Sequence, residues 1–163
     1  MQGVMRDVLH LCFAVLLAHT AGQTILPAQK TPRHLTLSTS VSAPAAAPGA
    51  SVSLFIDVAP NPGIHVYAPG AMDYLPIAVK VEPLSAVSIG ATTYPKSELM
   101  TFADEQVPVY QKPFRLLKQV TIAKTAKAGT TLTFTGTVEY QACDDEVCFI
   151  PASAPVTWTV TVK

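Results

Sequence analysis

Clean period-two stretches, regular turn signals and the lack of an amphipathic helical pattern predict an all-β chain. The expected architecture is an antiparallel β-sandwich of immunoglobulin-like type, with a closed barrel as the alternative. A first, weaker strand is expected at 34–39. The Pro-rich stretch "SAPAAAPGA" (42–50) follows and is expected as an extended loop within the domain. In "ASVSLFIDV", Val52, Leu54, Ile56 and Val58 share one face, so a half-buried strand is expected there. The turn signal "APNPG" (59–63) ends it. Weaker strands are expected at 64–68, 76–82, 86–93 and 114–122, and "KAGT" (127–130) marks another turn. In "TLTFTGTVEY", Leu132, Phe134, Val138 and Tyr140 oppose a face of threonines and Glu139. In "VTWTVTVK", Val156, Trp158, Val160 and Val162 oppose threonines and Lys163. Trp158 thus belongs to the core. These last two strands, the cleanest in the chain, flank the cysteine segment.

The 163 residues suffice for one domain with a hydrophobic core. Charged residues make up 13% and the formal net charge is zero. That balance supplies no electrostatic attraction for nucleic acid or for an anionic membrane. Fourteen prolines, with abundant Thr and Val, favour short strands and loops over long helices.

The N-terminus differs from the rest. "MQGVMRD" carries one Arg, "VLHLCFAVLLA" is apolar, and "HTAGQ" supplies small residues for cleavage. Residues 1–22 match a secretory signal better than a membrane span. Cys12 is preceded by Leu11 rather than by a small residue, so it is expected to leave with the signal, not to carry a lipid. Residues 23–33 are expected as a flexible segment and 34–163 as the domain. No other stretch is long and apolar enough to span a bilayer, so the mature chain is expected to be exported and free of membrane spans. Disulfides persist in that compartment.

Two cysteines remain, both in "YQACDDEVCFIP" (140–151). If strands 131–140 and 155–163 pair, Cys143 and Cys148 lie on opposite arms of the tip, with "DDEV" as the turn. Cross-strand neighbours stand about 4.5–5.5 Å apart, close enough for a disulfide. Three readings stay open. A structural staple would close a ring of only six residues, which the chain-entropy relation values at about 2 kcal/mol. A metal site would have two thiolates and need His65 or Met72 to join them. A redox pair would be reachable at the tip by a partner thiolate. Asp144, Asp145 and Glu146 would then disfavour the thiolate and raise the thiol pKa, making exchange depend on an orienting partner. Equally, the acids are ordinary turn residues.

The stretch "VEYQACDDEVCFIPASAPVTWTV" resembles the end of the N-terminal periplasmic domain of the bacterial thiol:disulfide interchange protein DsbD, through Tyr140, Gln141, Cys143, Cys148 and Pro151. "PNPGIHVYAPG" and "YPKSELMTFADEQVPVY" resemble two other parts of that family, the second leading into its cap loop. The resemblance implies an immunoglobulin-like sandwich and a redox pair, Cys143 and Cys148. It implies that Cys148 forms the mixed disulfide, that a thioredoxin-like protein or domain donates electrons, and that a periplasmic disulfide isomerase or cytochrome-maturation thiol protein accepts them. It implies no metal and no organic cofactor. It places Asp104 and Glu105 in the acidic pair of the cap, and His65 and Tyr67 at positions that face the sulfurs. Apart from the resemblance, Tyr140 is expected to pack over the sulfurs and Phe102 to substitute as a cap. Two departures stand out: one proline of the family's Cys-Tyr-Pro-Pro is replaced by Ile150, and the usual capping aromatic by Gln106. As the chain ends at Lys163, electrons are expected to come from a separate protein. The alternative from another class is a non-catalytic extracytoplasmic binding module with an inert disulfide.

Overall fold

A computed structural model describes residues 33–102 and 104–163. The expected signal (1–22) and all of the expected flexible stretch except Arg33 lie outside the described residues. Arg33 itself is held by Tyr140, whose hydroxyl donates to the Arg33 carbonyl at 2.8 Å and accepts from its amide at 2.9 Å.

Twelve strands and no helix are found among the described residues, arranged in three four-stranded sheets. The first sheet has the order β1 (Leu35–Val41), β3 (Ser51–Pro60), β9 (Phe114–Ile122), β6 (Val87–Thr93). The second has the order β2 (Ala45–Ala46), β12 (Ala152–Val162), β10 (Thr131–Tyr140), β5 (Ala78–Val81). These two sheets are the layers of an immunoglobulin-like sandwich. The third, β11 (Ala142–Cys143), β4 (His65–Tyr67), β8 (Glu105–Tyr110), β7 (Glu98–Phe102), carries the cysteine pair at its edge.

The period-two faces become the core. Val52, Leu54, Ile56 and Val58 of β3 are buried, as are Phe134, Val138 and Tyr140 of β10 and Trp158, Val160 and Val162 of β12. They pack in one cluster with Leu116, Val120 and Ile122 of β9. Each such aliphatic side chain contributes about 1.5–3 kcal/mol relative to exposure. The indole N–H of Trp158 would be an unpaired buried donor, but it donates across the layers to the Phe55 carbonyl at 2.9 Å. Gly136 faces the Lys80 carbonyl so closely that a Cβ would overlap it, which lets β5 lie against β10.

β10 and β12 pair antiparallel, in register from Thr131↔Thr161 to Tyr140↔Ala152. Two stretches differ from expectation. The loop at 42–50 contains β2, which pairs with Thr161 and Val162 in parallel, the one parallel pairing among these strands. The stretch leading toward the expected cap is a hairpin, β7 against β8, from Glu98↔Val109 to Phe102↔Glu105.

Candidate functional site

Beyond Tyr140 the chain leaves the sandwich and joins the third sheet, with Ala142 opposite Val66 and Cys143 opposite His65. It then reverses through Asp144–Val147. The Asp144 amide donates to the Val147 carbonyl at 3.0 Å, and the Phe149 amide to the Ala142 carbonyl at 2.9 Å. These two bonds bracket Cys143 and Cys148 as a non-hydrogen-bonded antiparallel pair, the position where facing side chains come closest. Their Cα atoms are 4.1 Å apart and their sulfurs are joined in a disulfide.

The turn acids divide in role. Asp144 Oδ1 accepts from the amides of Glu146 (2.9 Å) and Val147 (2.8 Å), so it shapes the turn. Those backbone donors hold its carboxyl below the usual carboxylate range. Asp145 and Glu146 are exposed.

The two cysteines differ sharply in exposure. Cys143 is 1% exposed and packs with Tyr67, Ala71, Val107 and Val109 in a small second core. Cys148 is exposed, with Val147 on one side and Ile150, 89% exposed, on the other. Phe149 stacks on His34 with ring centres 3.8 Å apart. Gln141 ties the segment down: its side-chain oxygen accepts from the Leu75 amide (3.4 Å) and its NH₂ donates to the Phe149 carbonyl (3.3 Å).

Of the residues expected around the sulfurs, two are brought there. The Tyr67 hydroxyl lies 3.3 Å from each of the two sulfurs. Its ring is buried, stacked on Tyr74 at 4.1 Å and met edge-on by His65 at 5.5 Å. Burial pushes the Tyr67 phenol up, and Tyr74 adds to this. His65 is only 4% exposed, and burial pulls its imidazole below the ordinary histidine range against the opposing attraction of Asp145 and Asp144.

The others sit elsewhere. Tyr140 belongs to the sandwich core, and its hydroxyl is engaged with Arg33. Phe102, Asp104 and Glu105 are exposed at the β7–β8 turn, with no hydrogen bond to either sulfur. On β8 the turn begins four residues from Val109, the residue opposite Tyr67, about 13 Å along the strand. Asp104 has a left-handed φ of 69°, which Asp tolerates better than most residues, so turn geometry accounts for its presence. Gln106, where the capping aromatic is missing, donates to the Thr101 hydroxyl. Tyr74 and His34 carry no local signal as site residues; each meets its aromatic partner only through tertiary folding. Among the described residues no group of three or more His, Cys, Asp or Glu side chains converges as a metal site.

Residues 34–159 match the family model described as "Thiol:disulfide interchange protein DsbD, N-terminal". No curated protein matches the sequence. Among solved structures, the N-terminal periplasmic domain of ScsB from Proteus mirabilis is similar in fold, with TM-score 0.53 and 12% identity over 77% of this chain and 47% of that one. This chain thus spans about half of that structure. The Neisseria meningitidis DsbD N-terminal domain, in its reduced form, gives TM-score 0.45 and 17% identity over 76% of this chain and 85% of that one.

Proposed function

Because this chain belongs to the DsbD N-terminal domain family, a family of thiol:disulfide interchange domains, we propose that it relays electrons through Cys143 and Cys148. The donor is a thioredoxin-like protein or domain, and the acceptors are exported thiol-disulfide proteins of the disulfide-isomerase or cytochrome-maturation type. The domain works in the periplasm after removal of a signal at 1–22. Among the described residues no helix is long and apolar enough to cross a membrane.

The observation that carries the reading is the unequal exposure of the two cysteines. A partner thiolate reaches Cys148, while Cys143 is shielded. Attack on Cys148 Sγ breaks the intramolecular S–S bond and leaves its electron pair on Cys143 as thiolate. The partner's second thiolate then attacks its own sulfur in the mixed disulfide and expels Cys148. The partner departs oxidised and this chain is left as the dithiol. Running the same steps toward an oxidised acceptor returns the disulfide. The acids beside the pair disfavour spontaneous thiolate formation, so exchange depends on a partner that docks and orients its sulfur. The roles of Phe102, Asp104 and Glu105 as a cap belong to the same proposal, as their turn stands on the sheet that holds the pair.

A trapping experiment tests the assignment. Cys143→Ala, incubated with a thioredoxin-like protein that lacks its resolving cysteine and carries its remaining thiol as a mixed disulfide with a good leaving thiol, is expected to accumulate a protein–protein disulfide through Cys148, whereas Cys148→Ala accumulates none. The reduction potential of the native pair is expected above about −300 mV, the usual ceiling for structural disulfides. No trapped adduct together with a potential in the structural range would instead identify an inert disulfide in a binding module.

A further inference from the structure

We propose that the Tyr67 hydroxyl is the hydrogen-bond donor that receives the charge of the departing Cys143 thiolate. This rests on Cys143–Cys148 being an exchanging pair; the resemblance puts Tyr67 beside the sulfurs but gives its hydroxyl no chemical task.

The geometry is specific. The hydroxyl lies 3.3 Å from Cys143 Sγ and 3.3 Å from Cys148 Sγ. A disulfide sulfur carries no proton, so the phenol is the donor and its one proton is shared between two weak acceptors. Attack at Cys148 removes that symmetry. As the S–S bond lengthens, negative charge gathers on Cys143 and the donor turns wholly to it. The interaction is therefore stronger in the transition state than in the resting disulfide, the condition for accelerating the step.

Cys143 needs such a donor more than Cys148 does. Its residue is 1% exposed, so bulk water has little access to the emerging charge. Its neighbours Ala71, Val107 and Val109 offer only hydrocarbon. The carboxylates of the adjoining turn disfavour a second negative charge. His65, buried across from Cys143, is disposed by its surroundings to stay neutral. The Tyr67 ring is held for the task by stacking on Tyr74 and by the edge contact of His65, so aiming the hydroxyl costs little entropy in the reaction. A phenol keeps its proton at neutral pH, and burial only reinforces this for Tyr67. No proton transfer is required: the hydroxyl donates, the thiolate accepts, and the pair persists until the thiolate attacks in the return reaction or takes a proton from solvent.

The test uses the full chain in a Cys12→Ser background, reduced by a small dithiol under stopped flow. Tyr67→Phe keeps the buried ring and removes only the hydroxyl. It is expected to slow reduction by about ten- to hundred-fold, the range for a lost hydrogen bond to a charged group. With Cys148→Ser added, the pH midpoint for alkylation of Cys143 is expected to rise in Tyr67→Phe. Tyr110→Phe is the control, as its hydroxyl donates to the Pro95 carbonyl and touches no sulfur. It is expected to keep both values. Replacing Tyr67 with 3-fluorotyrosine, a stronger donor, is expected to quicken reduction, which a packing role would not do. Native-like rate and midpoint in Tyr67→Phe would overturn the proposal. So would slow reduction in Tyr67→Phe without any quickening in the 3-fluorotyrosine protein, since it would mark a packing effect. The small dithiol makes the result independent of any protein partner, so failure of the relay reading shows separately, in the trapping experiment.

Discussion

At the scale of single residues, the site is a set of polar groups committed in different ways. Asp144 spends its carboxylate on two backbone amides, and His65 is buried beside the pair. Both predict stability that falls with pH, in separate windows. The folded chain holds His65 neutral below the pH at which a free histidine would charge. As pH drops below about 6.5, the unfolded chain takes up a proton that the folded chain refuses, and stability declines until the folded pKa is passed. Asp144 has a lowered folded pKa, so its contribution is lost only below the ordinary aspartate range. Urea unfolding at pH 7.5 and pH 5 is expected to show a fall in midpoint, and His65→Gln is expected to shrink it. An unchanged fall in that variant would assign the effect to other groups. The sequence named His65, Tyr67 and both cysteines, but not which sulfur would be buried. Residue identity carries chemistry, and exposure is a property of neighbours.

At the scale of elements, legibility followed hydrophobic contrast. Strands β3, β10 and β12 bury one face, and the alternation that buries them is plain in the letters. The β7–β8 hairpin is different. Most of β7 is exposed, and Pro108 interrupts β8, a residue that argues against a central strand. Strand β2 has two residues, too few for any period. Gly136 shows the same principle in reverse. Within an otherwise strong strand it reads as a weak point, yet it is where β5 comes closest. Gly136→Ala is expected to destabilise by about 1–3 kcal/mol, as overpacking against backbone does, measured by denaturant unfolding with the disulfide intact. A neutral result would mean that β5 can move away at little cost.

For the molecule as a whole, the sandwich and the site are only loosely dependent on each other. The main core lies between the first two sheets, and the disulfide closes a ring of six residues on the third. Reducing it is therefore expected to lower the unfolding free energy by only about 2 kcal/mol, with a single cooperative transition retained. Unfolding curves with and without reductant check this. Collapse of the fold on reduction would favour the staple reading over exchange, because a relay must stay folded in both redox states. Strand periodicity, the hairpin of β10 and β12, the turn at Asp144–Val147 and the family all follow from local order along the chain, since period, turn chemistry and motif spacing are local quantities. The burial of Cys143, the exposure of Cys148 and the placing of the Tyr67 hydroxyl against both sulfurs depend on β11 crossing to β4. That crossing joins residues some 76 positions apart, and a contact between such distant segments has no signature in either of them alone.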